Sequence, residues 1–318
     1  MIKFIGSSYT KSLENIFATM ESIELKIKHF NSFLGSETSI YAMAQNTENN
    51  GFFTGGGSGE IVLWPNFLGE EGLLYARTES PVLCLHVDTV DNLLLIGTLD
   101  GQLNWIDLNK KSTVKRQKWM KGGLYAIQSD EYSYYISGNG GIVTRISRDA
   151  KQATGGMQVS GIRCRALTQN SQFLISGTSE GKIYMFDKLG FNNPIISSHK
   201  HQGSVFDIIQ IENNYISCGK DGKLFKWDTA LKKVDEVQAH NSTINTLAPI
   251  GNSGLFATGC RDGSIRIWDS HDFELLKVID LFLHSGHLRS VNKLIWVDHQ
   301  NLLMSCSDDR QIKMWKVQ

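Results

Sequence analysis

The chain has 318 residues, 41% of them apolar and 20% charged, an ordinary globular composition that can bury a sizeable core. Its 32 basic and 32 acidic side chains cancel, which argues against the strong basic field behind non-specific nucleic-acid or acidic-membrane binding. No run of about 18 apolar residues occurs, and Cys84, Cys164, Cys218, Cys260 and Cys306 form no C-x-x-C pair and lie in or beside apolar runs, so buried thiols in a reducing, cytoplasmic compartment are expected.

In chain order, residues 1–20, with "KSLENIFATM", read as an extension, helical or disordered, and Met20 offers an alternative start. Residues 21–318 read as one domain. Its first element is "SIELKIKHF", where Ile23, Leu25 and Ile27 alternate with Glu24, Lys26 and Lys28, the period-2 pattern of an edge strand with one solvated face. A repeat follows. "GSGEIVLW" ends at Trp64, "LDGQLNWID" holds Ile106, "NGGIVTRIS" Ile146, "SEGKIYMFD" Phe186, "KDGKLFKWD" Trp227, "RDGSIRIWD" Trp268 and "DDRQIKMW" Trp315, at spacings of 42, 40, 40, 41, 41 and 47. Each unit carries an upstream apolar-x-x-apolar strand: Ile40/Met43, Val82/Leu85, Leu124/Ile127, Cys164/Leu167, Val205/Ile208, Ile244/Leu247 and Val291/Leu294. With further runs such as "NYISCG" and "LFATGC", every unit reads as about four short strands, and Asp262-Gly263 reads as a tight turn with positive φ at both positions.

A period in the forties, four strands and a terminal Trp-Asp resemble the WD-repeat β-propeller family over residues 21 to 318. The pair is intact only at Trp227-Asp228 and Trp268-Asp269, and the seven-fold register carries the likeness. The resemblance implies an all-β, seven-bladed propeller of four-stranded antiparallel blades. The last unit stops after its third strand, so the N-terminal strand is expected to complete the last blade and close the ring.

The family's buried network of His, Ser or Thr, Asp and Trp is matched by three units: His201, Ser217, Asp221 and Trp227; His240, Thr258, Asp262 and Trp268; His287, Ser305, Asp309 and Trp315. Ser, His and Asp also make a nucleophilic triad, but three copies, always with Trp and in one register, read as structural staples. Ser36, Thr78, Met120 and Ser160 replace the His in units one to four. Asp100 and Glu180 keep a turn carboxylate there, and Ser58 and Gly140 do not. Blades one to four should be looser, or held by other contacts.

The resemblance also implies a peptide-binding mouth at the central channel. Carried over position by position, its ring is Tyr41, Leu83, Tyr125, Arg165, Phe206, Asn245 and Asn292, with Arg163, Lys220 and Arg261 beside it. Tyr41, Tyr125 and Phe206 would form walls, and Arg163 and Arg165 would grip a carboxylate or phosphate. The expectation is a non-enzymatic scaffold or adaptor with a protein or peptide partner, a monomeric fold, no membrane, no cofactor and no metal. His284 and His287 are too few for a structural zinc, and "GGGSGE" opens no helix. Two alternatives are an enzyme with a small-molecule or metal site in the channel, and an RNA-associated propeller using the edge from Lys110 to Lys121, with Lys111, Lys115, Arg116, Lys118 and Trp119.

Overall fold

The structure is a computed structural model that describes residues 25–34, 36–46, 51–69 and 71–318; the extension 1–20 and Ile23 lie outside them. Seven four-stranded antiparallel sheets form, six of them from consecutive strands. The inner strands are Ile40–Asn46, Val82–Asp88, Leu124–Ser129, Cys164–Gln169, Val205–Ile211, Ile244–Ile250 and Val291–Val297, for blades one to seven. Each inner strand contacts those of the two neighbouring blades, first and last included, so the ring closes. No helix among the described residues is long and apolar enough to cross a membrane.

Blade seven joins the two ends of the chain. Its three C-terminal strands are completed by Ile27–Leu34, which pairs antiparallel with Gln311–Val317. The strand continues four residues past the end of "SIELKIKHF", to Leu34, and a bulge between His29 and Asn31 shifts its register on the way. Leu25 and Ile27 pack into the core between blades six and seven, and Phe33 packs into the core between blades seven and one. One strand thus seals two blade gaps.

Seven apolar clusters fill the seven gaps between blades. A single sheet therefore has no core of its own and becomes stable by stacking on its neighbours. The strands hold β-branched and aromatic residues whose two faces both meet adjacent blades, as in the wholly buried Gly51–Gly56, Leu93–Thr98 and Leu302–Ser307. The Asp262-Gly263 turn differs from expectation. Only Gly263 takes a positive φ, +92°, in the connection closed by Cys260 and Ser264. A Cβ at Gly263 would stand 2.7 Å from the His287 carbonyl oxygen, so the next blade's loop also demands glycine.

Candidate functional site

In every blade the ladder between the first and second strands slips by one residue near its start. The unpaired residues are Tyr41, Leu83, Tyr125, Arg165, Phe206, Asn245 and Asn292, the seven ring positions. A bulge frees a residue from the pleat and re-aims its side chain. Repeated seven times, it directs one side chain per blade into an open channel of about 770 Å³, which Arg261 also lines. Arg163 and Lys220 are not in that lining; both are exposed.

Arg165 is the most distinctive member. Its guanidinium carbon lies 4.4 Å from the Tyr125 ring centroid and 5.0 Å from that of Phe206, so two aromatic faces clamp it. Among the described residues no carboxylate forms an ion pair with it and no acceptor takes its N–H groups. Burial pulls its pKa below the ordinary arginine value, and the charge of Arg163 adds to that pull against the opposing effect of Tyr125. Tyr125 is itself fixed: its hydroxyl donates to Asn139 Oδ1 at 2.9 Å, and a Cβ at Gly123 would stand 2.9 Å from its ring.

The two asparagines of the ring are engaged in binding blade to blade. Asn245 Nδ2 donates to Ser290 Oγ (2.8 Å) and the Val291 carbonyl (2.9 Å), and Asn292 Nδ2 donates to Asp308 (2.8 Å) and the Ile40 carbonyl (2.9 Å). Asp207, also in the channel lining, accepts from the Leu247 N–H at 3.0 Å and from Thr246 Oγ1 at 3.2 Å, with Lys293 at 3.5 Å. The free chemistry at the mouth is therefore aromatic and cationic.

Beside the mouth, the three His-containing networks differ from one another. In blade five, Ser217 Oγ receives the Trp227 N–H at 2.8 Å and lies 2.8 Å from His201 Nε2, and His201 Nδ1 is 3.0 Å from Asp221. In blade six, His240 Nε2 lies 2.8 Å from Thr258 Oγ1, which also receives the Trp268 N–H at 3.1 Å. The expected link from His240 to Asp262 is replaced: Ser264 Oγ stands 3.3 Å from Nδ1 and donates to Asp262 at 2.7 Å. In blade seven, His287 reaches Ser305 (2.6 Å) and Asp309 (2.8 Å), but the Trp315 N–H donates to the His284 carbonyl at 2.8 Å instead of to Ser305. The lengthened loop before blade seven brings that carbonyl in.

Blades one to four are held by other contacts. Trp64 Nε1 donates to Thr54 Oγ1 at 3.0 Å, Thr38 links Ser36 to Ser58, and Ser160 donates to Glu180. Sequence reasoning missed Arg148, 6% exposed, which reaches from blade three to Asp88 (2.6 and 2.7 Å) and Asp91 (3.0 Å) at the far end of blade two's inner strand. On the outer strand Ser112–Lys118, Lys115 donates to the Lys151 carbonyl at 2.5 Å and Arg116 stands 4.0 Å from Glu79, so part of that cationic edge is internally engaged.

A family model described as "WD domain, G-beta repeat" matches residues 231–269 and 279–316, the last two blades. The chain is 26% identical over 139 residues to myosin heavy chain kinase C of Dictyostelium discoideum, covering 43% of this chain and 17% of that protein. It is 30% identical over 125 residues to the histone-binding protein MSI1 of Saccharomyces cerevisiae, covering 37% and 28% respectively. It is 26% identical over 146 residues to a WD repeat-containing protein 55 homolog of Drosophila ananassae, covering 43% and 28%.

The chain is a seven-bladed β-propeller whose last two blades are WD repeats. It spans well under two thirds of the length of these relatives. Its fold alone is shared with the computationally designed Ika8 protein, at a TM-score of 0.69 and 20% identity over 91% of this chain and 99% of that one. WD-repeat propellers are generally non-enzymatic and commonly serve as protein-interaction scaffolds.

Proposed function

We propose that this propeller is a non-enzymatic scaffold that captures an acidic peptide segment of a partner protein at the channel mouth. The observation that carries the reading is Arg165, a guanidinium clamped between Tyr125 and Phe206 with no carboxylate partner among the described residues. A half-buried, unpaired cation is costly, and a carboxylate or phosphate arriving there gains a charge-assisted, bidentate hydrogen bond. Tyr41, Tyr125 and Phe206 supply apolar walls, and Arg163 and Arg261 extend the positive rim. Asn245 and Asn292 hold the mouth's shape. A catalytic channel would need convergent nucleophiles, carboxylates or imidazoles at the bulge positions, and those positions carry three aromatics, a leucine, an arginine and two asparagines.

The test is a display library of acidic, phosphorylated and neutral peptides panned against the full chain. Wild type retains acidic or phosphorylated peptides, and Arg165→Met loses them while keeping its melting temperature. Equal retention by both forms would contradict the proposal.

A further inference from the structure

Blade six holds an arrangement that its neighbours lack. His201 and His287 each turn Nδ1 to a carboxylate, whereas the Nδ1 of buried His240 faces Ser264 Oγ at 3.3 Å. The Ser264 hydroxyl donates its one proton to Asp262 at 2.7 Å, so its oxygen offers Nδ1 only a lone pair. On the other side of the imidazole, Thr258 Oγ1 has the Arg266 carbonyl at 3.4 Å as its own acceptor. In the tautomer with the ring proton on Nε2, Thr258 Oγ1 receives N–H groups from both Trp268 and His240, and His240 Nδ1 presents its lone pair beside the Ser264 and Asp262 oxygens.

Cys260 brings sulfur to the same place. Its position is Gly219 in blade five and Ser307 in blade seven, where the serine hydroxyl receives the Asp309 N–H at 3.0 Å; a side chain here faces the turn carboxylate. One donor atom each from His240, Cys260 and Asp262 lies within 4.8 Å of the others, with Cys260 wholly buried and Asp262 exposed. Imidazole, thiolate and carboxylate together suit Zn²⁺, which commonly takes three protein ligands with an open fourth position.

We propose that His240 Nδ1, Cys260 Sγ and the Asp262 carboxylate bind one zinc-class divalent cation, with the Ser264 hydroxyl or a water in the fourth position. The Cys260 thiol gives its proton to solvent as the metal–sulfur bond forms. Thiolate and carboxylate then neutralise the ion beside the Arg266 guanidinium. Thr258 acts as the outer partner that orients the imidazole. The metal takes the place of the missing His–Asp link and ties the loop before Ile244–Ile250 to the turn whose Arg261 lines the channel.

The experiment titrates Co²⁺ into the metal-free full chain under reducing conditions and reads thiolate-to-cobalt charge-transfer absorption, then chases with Zn²⁺. One saturable equivalent is expected, displaced by Zn²⁺, with a Zn²⁺-dependent rise in melting temperature. Cys260→Ser abolishes the band and the rise; serine fits, since blade seven carries it at this position. Asp262→Asn weakens affinity by about tenfold or more, at least the loss seen when an outer-shell partner is removed. If Cys260→Ser unfolds, Asp262→Asn with the wild-type band decides the matter. A folded wild type with no band, or a band unchanged in Cys260→Ser or Asp262→Asn, would overturn the proposal.

Discussion

Arg148 and Asp88 are 6% and 2% exposed, and their bidentate pair sits among Tyr134, Ser129 and Asp91. Removing the cation leaves a buried carboxylate without its counter-charge, so Arg148→Met is expected to cost about 3–5 kcal/mol. Replacing Asp88 by Leu as well should recover part of that loss, read by urea unfolding; a single variant within about 1 kcal/mol of wild type would contradict this. His287 supplies a pH dependence. Burial, assisted by Lys313 and opposed by Asp309, holds its pKa below the ordinary value. The unfolded chain then binds a proton that the folded chain resists, so stability is full above about pH 6.5 and falls as pH drops below it. The slope of unfolding free energy between pH 7 and 5 should be shallower in His287→Gln than in wild type, and equal slopes would contradict the assignment. None of the Arg148 cluster was legible in the chain, because its partners stand 57 and 60 positions away and share no repeat register.

At the scale of the blade, the same motif does different work according to where its Trp donates. Ser217→Ala removes the acceptor of the Trp227 N–H and the partner of His201, stranding two buried groups. Ser305→Ala strands only the His287 side, since Trp315 donates to the His284 carbonyl. Each buried group left unsatisfied costs about 1–3 kcal/mol, so Ser217→Ala should be the more destabilising by that amount. Equal losses in chemical denaturation would contradict the assigned routes. The residues of all three networks could be named from the family resemblance and the repeat register, but their wiring could not. The extra length before Trp315 shows in the sequence as a spacing of 47. That Asp280 caps Leu281–His284, and that Lys313 grips the Ser285 and Gly286 carbonyls at 2.8 and 2.7 Å, depends on packing that spacing does not encode. Likewise the exchange of Asp262 for Ser264 beside His240 turns on a hydroxyl two residues past the turn carboxylate.

For the whole molecule, seven units and the strand that closes the last of them were legible because each signal is local: a turn, an apolar alternation, a Trp or its substitute. The ring positions were legible only as places in a repeat. The bulge that turns each of them into the channel is a property of strand pairing, and the aromatic clamp on Arg165 joins side chains from three blades. It is at this scale that the claim of a recognition mouth stands or falls. The decisive measurement is a comparative capture from native lysate by the full chain and by a Tyr41→Ala, Tyr125→Ala, Phe206→Ala form, matched for melting temperature and read by mass spectrometry. A partner retained by the wild type and lost by the folded triple variant is the expected result; identical captures by the two would contradict a recognition mouth.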